Sequence, residues 1–86
     1  MQIQKTPAFN RRFKKLSEQQ KKDFYTALRL FCQDAFHPKL KTHKLKGRWK
    51  AFHSFRVNYS DRCIFYFLQN DDILLYDIGS HQIYQG

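Results

Sequence analysis

The apolar positions change period once along the chain, near Gly47, from a helical repeat to an alternating one. Ahead of that point Phe9, Phe13 and Leu16 recur at i, i+4 and i+7, a single stripe on a helix. Thr6-Pro7 just before them predicts the helix start. Threonine can cap the first free N–H groups, and proline loses nothing at a position whose N–H has no helical partner. Ser17-Glu18-Gln19-Gln20 reads as a capping box that opens a second helix. There Phe24, Leu28, Phe31 and Ala35 keep the spacing to about Phe36, and His37-Pro38 ends it. A joint this short predicts an antiparallel helix hairpin. Met1 to Lys5, upstream, reads as a short strand.

After Gly47, Trp49, Ala51, His53, Phe55 and Val57 alternate with Lys50, Phe52, Ser54 and Arg56. That period predicts a strand with the first set against the helices and the second on the open side of a sheet. Asn58 to Asp61 reads as a turn, Arg62 to Leu68 as a strand, Gln69 to Asp72 as a turn and Ile73 to Ile78 as a strand, an antiparallel meander. The segment from Lys39 to Gly47 reads as a basic loop. The expected fold is α+β in the order β-α-α-β-β-β, with the helix hairpin packed on one face of a small, mainly antiparallel sheet.

Length allows one domain, residues 1–86, near the lower end of what folds without staples. Nine Phe, five Tyr and one Trp compensate by filling a core from few positions. No apolar run nears the ~20 residues that span a bilayer, and Met1 to Thr6 lacks an apolar signal core, so no membrane association and a cytoplasmic location are expected. Two cysteines, Cys32 in the helical pattern and Cys63 in the alternating one, are expected as buried, reduced thiols.

Charge narrows the function. The net charge is +9 and uneven: residues 1–60 carry 15 basic and 3 acidic side chains, residues 61–86 carry 1 and 4. Such a field attracts polyanions, above all nucleic acid. The candidate RNA-binding residues are Arg11, Arg12, Lys14 and Lys15 on the first helix, and Lys39, Lys41, Lys44, Lys46, Arg48 and Lys50 in and after the basic loop. His37, His43, His53 and His81 lack metal-ligand spacing, and neither a Gly-x-Ser-x-Gly elbow nor a Gly-rich phosphate loop is present. A metal-free route on RNA remains open, with the substrate's own 2′-OH as nucleophile. It needs a base, an acid and cations, but no metal and no small-molecule cofactor.

Three stretches carry a resemblance: His43-Lys44-Leu45-Lys46-Gly47-Arg48-Trp49-Lys50, Asp61-Arg62-Cys63-Ile64-Phe65-Tyr66 and Ile78-Gly79-Ser80-His81-Gln82-Ile83-Tyr84. Together they resemble the RelE/ParE toxin superfamily, and within it the YafQ-like branch of ribosome-dependent mRNA interferases from type II toxin–antitoxin modules. The resemblance implies an endoribonuclease that cuts mRNA in the ribosomal A site, with ribosomal RNA and message as partners and a cognate antitoxin protein to restrain it. It implies His81 as principal catalytic histidine and His43 as its loop partner. Asp61 and Arg62 fall at the turn-to-strand positions of the catalytic set, and Arg56 stands where some members carry a second histidine. Tyr84 lies near the terminal aromatic, one residue earlier than the branch's usual spacing. Some of these residues have a packing reading beside the catalytic one. Asp61 can be a turn former, Tyr84 a C-terminal packing residue, His37 a helix-end residue, and His53, which shares the face of Trp49 and Phe55, a boundary histidine. Two other functions stay open: a ParE-like toxin that poisons DNA gyrase, and a non-catalytic RNA-binding module of the same fold.

Overall fold

A computed structural model describes residues 1–80. The expectations for His81 and Tyr84 therefore lie outside the described residues. The elements are β1 (Ile3–Lys5), α1 (Pro7–Lys14), α2 (Glu18–Gln33), β2 (His43–Lys44), β3 (His53–Arg56), β4 (Asp61–Phe67) and β5 (Ile73–Ser80), with single 3-10 turns at Pro38–Leu40, Gly47–Trp49 and Gln69–Asp71. The strands form a five-stranded sheet in the order β1-β5-β4-β3-β2. All neighbours are antiparallel except β1 and β5, which run parallel.

Both helix starts follow the local chemistry of the sequence. Thr6 Oγ1 accepts from the Phe9 N–H at 3.0 Å, with Pro7 in the first turn. Ser17 and Gln20 close a reciprocal capping box at 3.1 and 2.8 Å. The second helix stops at Gln33 rather than Phe36, because Asp34 turns to extended backbone and its carboxylate accepts from the Phe36 N–H. Phe9, Phe24, Ala27 and Phe31 from the helices and Phe55, Cys63, Phe65, Ile73, Leu75 and Ile78 from the sheet make the core. Phe31 sits edge-on to both Phe55 and Phe65, each at 4.9 Å between ring centres.

The stretch that alternates after Gly47 is not one strand. Gly47 adopts φ +64°, in the left-handed region, and leads into a 3-10 turn, so only His53–Arg56 is extended. Trp49 consequently lands on the face away from the helices, where it meets Phe52 and Tyr76 at 5.5 and 6.0 Å. Phe52 also meets Tyr66, at 5.7 Å. This small aromatic layer covers Ile64, fully buried outside the main core. A bulge in the β4–β5 ladder opposite Ile64/Phe65 accompanies the change from Tyr76, on that layer, to Asp77, which reaches Arg12 of α1 at 3.6 Å. The expected basic loop, Lys39 to Gly47, begins within the 3-10 turn Pro38–Leu40 and contains the edge strand β2. Of the two thiols, Cys63 is buried and Cys32 is exposed, because Cys32 falls on the outer face of α2.

Candidate nucleic-acid interface

The ladder registers decide which side chains share a face. Arg56 pairs directly with Arg62, Ser54 with Ile64, and His43 with Ser54. Paired residues and their i+2 neighbours project to one side of a sheet. His43, Arg56 and Arg62 thus stand on the face opposite the helices, together with the aromatic layer. Gly79 of β5 continues the Arg56–Arg62 row. Across this face the chemistry runs from two guanidiniums, through His43 and the buried Ser54, to the rings of Phe52, Tyr66 and Tyr76.

Two like charges directly opposed on neighbouring strands repel. The turn between them offsets the repulsion. Arg56 Nε donates to the Asn58 carbonyl at 3.2 Å, and Arg62 Nη1 donates to the carbonyls of Asn58 and Asp61, both at 3.0 Å. Each guanidinium keeps further N–H donors for an external oxygen anion. The turn itself is held by Asn58. Its Oδ1 accepts from the N–H groups of Ser60 and Asp61, and its Nδ2 donates to Asp23 and Asp61, both at 2.9 Å.

Asp61, expected in the catalytic set, is placed elsewhere. It opens β4 instead of ending the turn, and its buried carboxylate faces the helix side, where it accepts from Gln20 Nε2 and Asn58 Nδ2. With those partners it ties α2 to the hairpin and is separated by the sheet from the Arg56–Arg62 face.

His43 is exposed in β2, and its Nδ1 lies 2.8 Å from the Lys41 carbonyl. A carbonyl only accepts, so Nδ1 carries the hydrogen and Nε2 of the neutral ring is left as a base. His43, Lys44, Leu45, Lys46 and Trp49 line a cleft of about 430 Å³. Lys39, Lys41, Lys44, Lys46, Arg48 and Lys50 are all exposed around this segment. Lys50 follows the 3-10 turn and is not the strand neighbour of Arg56 that alternation predicted. Arg11, Arg12 and Lys14 lie on α1 and Lys15 is its C-cap; the helix packs on the helix side of the sheet, so they form a second basic surface separate from the first.

His53 faces the helix side among aromatic rings. It meets Phe67 at 4.9 Å, Phe65 at 5.6 Å and Phe36 at 6.3 Å, and its Nδ1 is buried without a partner. Burial, then the charge of Lys44 and then His43, holds its pKa below the ordinary histidine value. His37 caps the 3-10 turn at Pro38 by accepting from the Lys39 N–H at 3.1 Å. The feature that sequence reasoning missed is Tyr59. It sits at the tip of the hairpin with 86% of its surface exposed, and the Arg56 guanidinium lies 5.7 Å from its ring centre. No periodic signal marks a turn residue, so only the fold puts it beside the arginines.

A family model described as a bacterial toxin of a type II toxin–antitoxin system, YafQ, matches residues 1–85. The chain belongs to the YafQ toxin family. The fold is likewise that of solved toxins. YafQ from E. coli strain BL21(DE3) superposes with a TM-score of 0.79 at 16% identity, covering 98% of this chain and 97% of that one. A YoeB/ParE toxin from Agrobacterium tumefaciens gives 0.79 at 14% identity, covering 94% and 99%. YafQ in the E. coli DinJ–YafQ complex gives 0.69 at 18% identity, covering 98% and 97%. No curated protein sequence matches the chain.

Proposed function

We propose that this toxin is a ribosome-dependent endoribonuclease that cuts mRNA by metal-free attack of the substrate's 2′-OH on the adjacent phosphate. The observation that carries the reading is the Arg56–Arg62 pair, held from below by turn carbonyls and sharing a sheet face with His43. In the reaction a base removes the 2′ proton, the 2′ oxygen bonds to phosphorus, and the bond from phosphorus to the 5′ oxygen breaks. An acid protonates that leaving oxygen, giving a 2′,3′-cyclic phosphate and a 5′-OH. Arg56 and Arg62 stabilise the negative charge that builds on the phosphoryl oxygens. His43, whose Nδ1 is engaged by the Lys41 carbonyl so that Nε2 faces outward from that contact, is suited to the base role. His81, two residues beyond the Gly79 that pairs with Arg62, is the proposed acid, and Tyr84 a substrate-orienting residue. The exposed lysines of 39–50 hold ribosomal RNA and message backbone. The ribosome contributes by orienting the message, a proximity effect.

The proposed partner in restraint is an antitoxin, as E. coli YafQ has in DinJ. A groove of about 460 Å³ between α2, the Pro38–Leu40 turn and the end of β3 suits an acidic amphipathic segment. Ala27, Leu30, Leu40 and Val57 give it an apolar floor, and Arg29 and Lys39 are cations along it, with Asp23 as the acidic lining residue.

The deciding experiment is 5′-end mapping of cellular mRNA after induction of the toxin. Cuts in register with codons inside translated regions are expected. Intact mRNA accompanied by DNA damage would instead assign the protein to gyrase poisoning, and intact mRNA without damage to RNA binding alone.

A further inference from the structure

We propose that Tyr59 is a nucleobase-stacking residue, forming with Arg56 and Arg62 a subsite for one nucleotide of single-stranded RNA. The inference rests on the reading of RNA as ligand but assigns a residue that the catalytic set does not include.

Tyr59 is the most exposed large aromatic side chain among the described residues, at 86%. Exposed tyrosines on mobile loops carry little meaning, but this turn is braced. Asn58, immediately before Tyr59, uses both ends of its amide on Asp23, Ser60 and Asp61, and Arg62 Nη1 reaches the Tyr59 carbonyl itself at 3.4 Å. The ring is therefore presented on a fixed backbone, so little order has to be gained on binding. The Arg56 guanidinium lies over the ring at 5.7 Å, close enough for a cation–π contact. It therefore joins the ring to the phosphate-binding pair. A base and its own phosphate are separated by one sugar, so a phosphate on Arg56 and Arg62 leaves its base within reach of the free face of Tyr59. Rings beside a cationic track are the usual means of holding single strands without strict sequence choice.

The test uses the full chain and a short 2′-O-methyl RNA strand, which lacks the attacking hydroxyl and reads binding apart from cleavage. Inorganic polyphosphate of matched charge is the competing anion. Tyr59→Ala is expected to weaken the binding of the RNA strand by about 5-fold to 150-fold, the range for losing one stacked base, and to leave polyphosphate binding unchanged. Tyr59→Phe and Tyr59→Trp should restore RNA binding, since stacking needs the ring and not the hydroxyl. Arg62→Ala should weaken both ligands. Tyr59→Ala binding RNA as tightly as wild type, or losing RNA and polyphosphate equally, overturns the inference. Wild-type chain that cuts ribosome-bound message but does not depend on Tyr59 for binding leaves the nuclease reading standing and removes the subsite. Tyr59-dependent binding with message left intact does the reverse.

Discussion

Arg56 and Arg62 face each other across β3 and β4, and both donate to the carbonyl oxygen of Asn58. One backbone oxygen thus anchors two cations that would otherwise repel. Removing either arginine should therefore do two things at once: take a charge from the phosphate site and leave the shared Asn58 carbonyl to the remaining guanidinium alone, so that the two losses are coupled. For cleavage of ribosome-bound message, the double variant Arg56→Ala/Arg62→Ala should lose less than the product of the two single losses. A strictly multiplicative loss would show that the two act independently.

Arg62→Lys separates charge from geometry. Lysine keeps the positive charge but cannot reach two carbonyls with one planar group. The variant should keep ribosome sedimentation near wild type while cleavage falls by about tenfold or more, the scale of one misplaced electrostatic donor. Equal cleavage by the lysine variant would mean that only charge matters at this position.

His81→Ala and His43→Ala test the proton-transfer roles. A general acid or base contributes about 10²–10⁴-fold. Each variant should lose cleavage by that order while ribosome binding survives, because the basic residues stay in place. If His81→Ala melts normally and cleaves at near wild-type rate, His81 leaves the mechanism and His43 carries it with another acid.

Asn58→Ala should be the most damaging change in the turn between β3 and β4. It removes two donors from Asp23 and Asp61 and the acceptor of the Ser60 and Asp61 N–H groups, and it leaves Asp61 buried with Gln20 as its remaining side-chain partner. Leaving buried polar groups unpaired costs about 1–3 kcal/mol each, so urea unfolding should show a loss of a few kcal/mol. A loss below ~0.5 kcal/mol would show that water replaces the amide.

His53 should make stability depend on pH. Its folded pKa is lowered, chiefly by burial, so the unfolded chain binds the proton more readily. The stability associated with the neutral ring is fully present above the unfolded value of about 6.5. It is lost as pH falls from there through the lower folded value. His53→Phe, which also removes the unpartnered Nδ1 among Phe36, Phe65 and Phe67, should be more stable at pH 5 than wild type and flatten this dependence. An unchanged slope between pH 7.5 and 5 would place the titrating group elsewhere.

The sequence by itself determined the features that rest on local chemistry. Thr6-Pro7 and Ser17 to Gln20 bond within their own turns, so both helix starts were legible. The Phe9 and Phe24–Phe31 stripes and the alternation through His53–Arg56 were legible because one face of each element must be apolar. The resemblance in three short stretches pointed to the toxin family that residues 1–85 match. The tertiary structure alone decided what depends on register and on backbone sign. Trp49 continued an alternating pattern, yet the left-handed Gly47 and the 3-10 turn after it sent the ring to the opposite face. Cys32 kept a helical pattern but fell on its outer side. Asp61 and Arg62 are adjacent in sequence and so point to opposite faces of β4, one into a structural network under α2 and the other toward the candidate site. A strand's side chains alternate, so one residue of register separates structure from function here. Tyr59 and the shared Asn58 carbonyl exist as features only once β3 and β4 are paired.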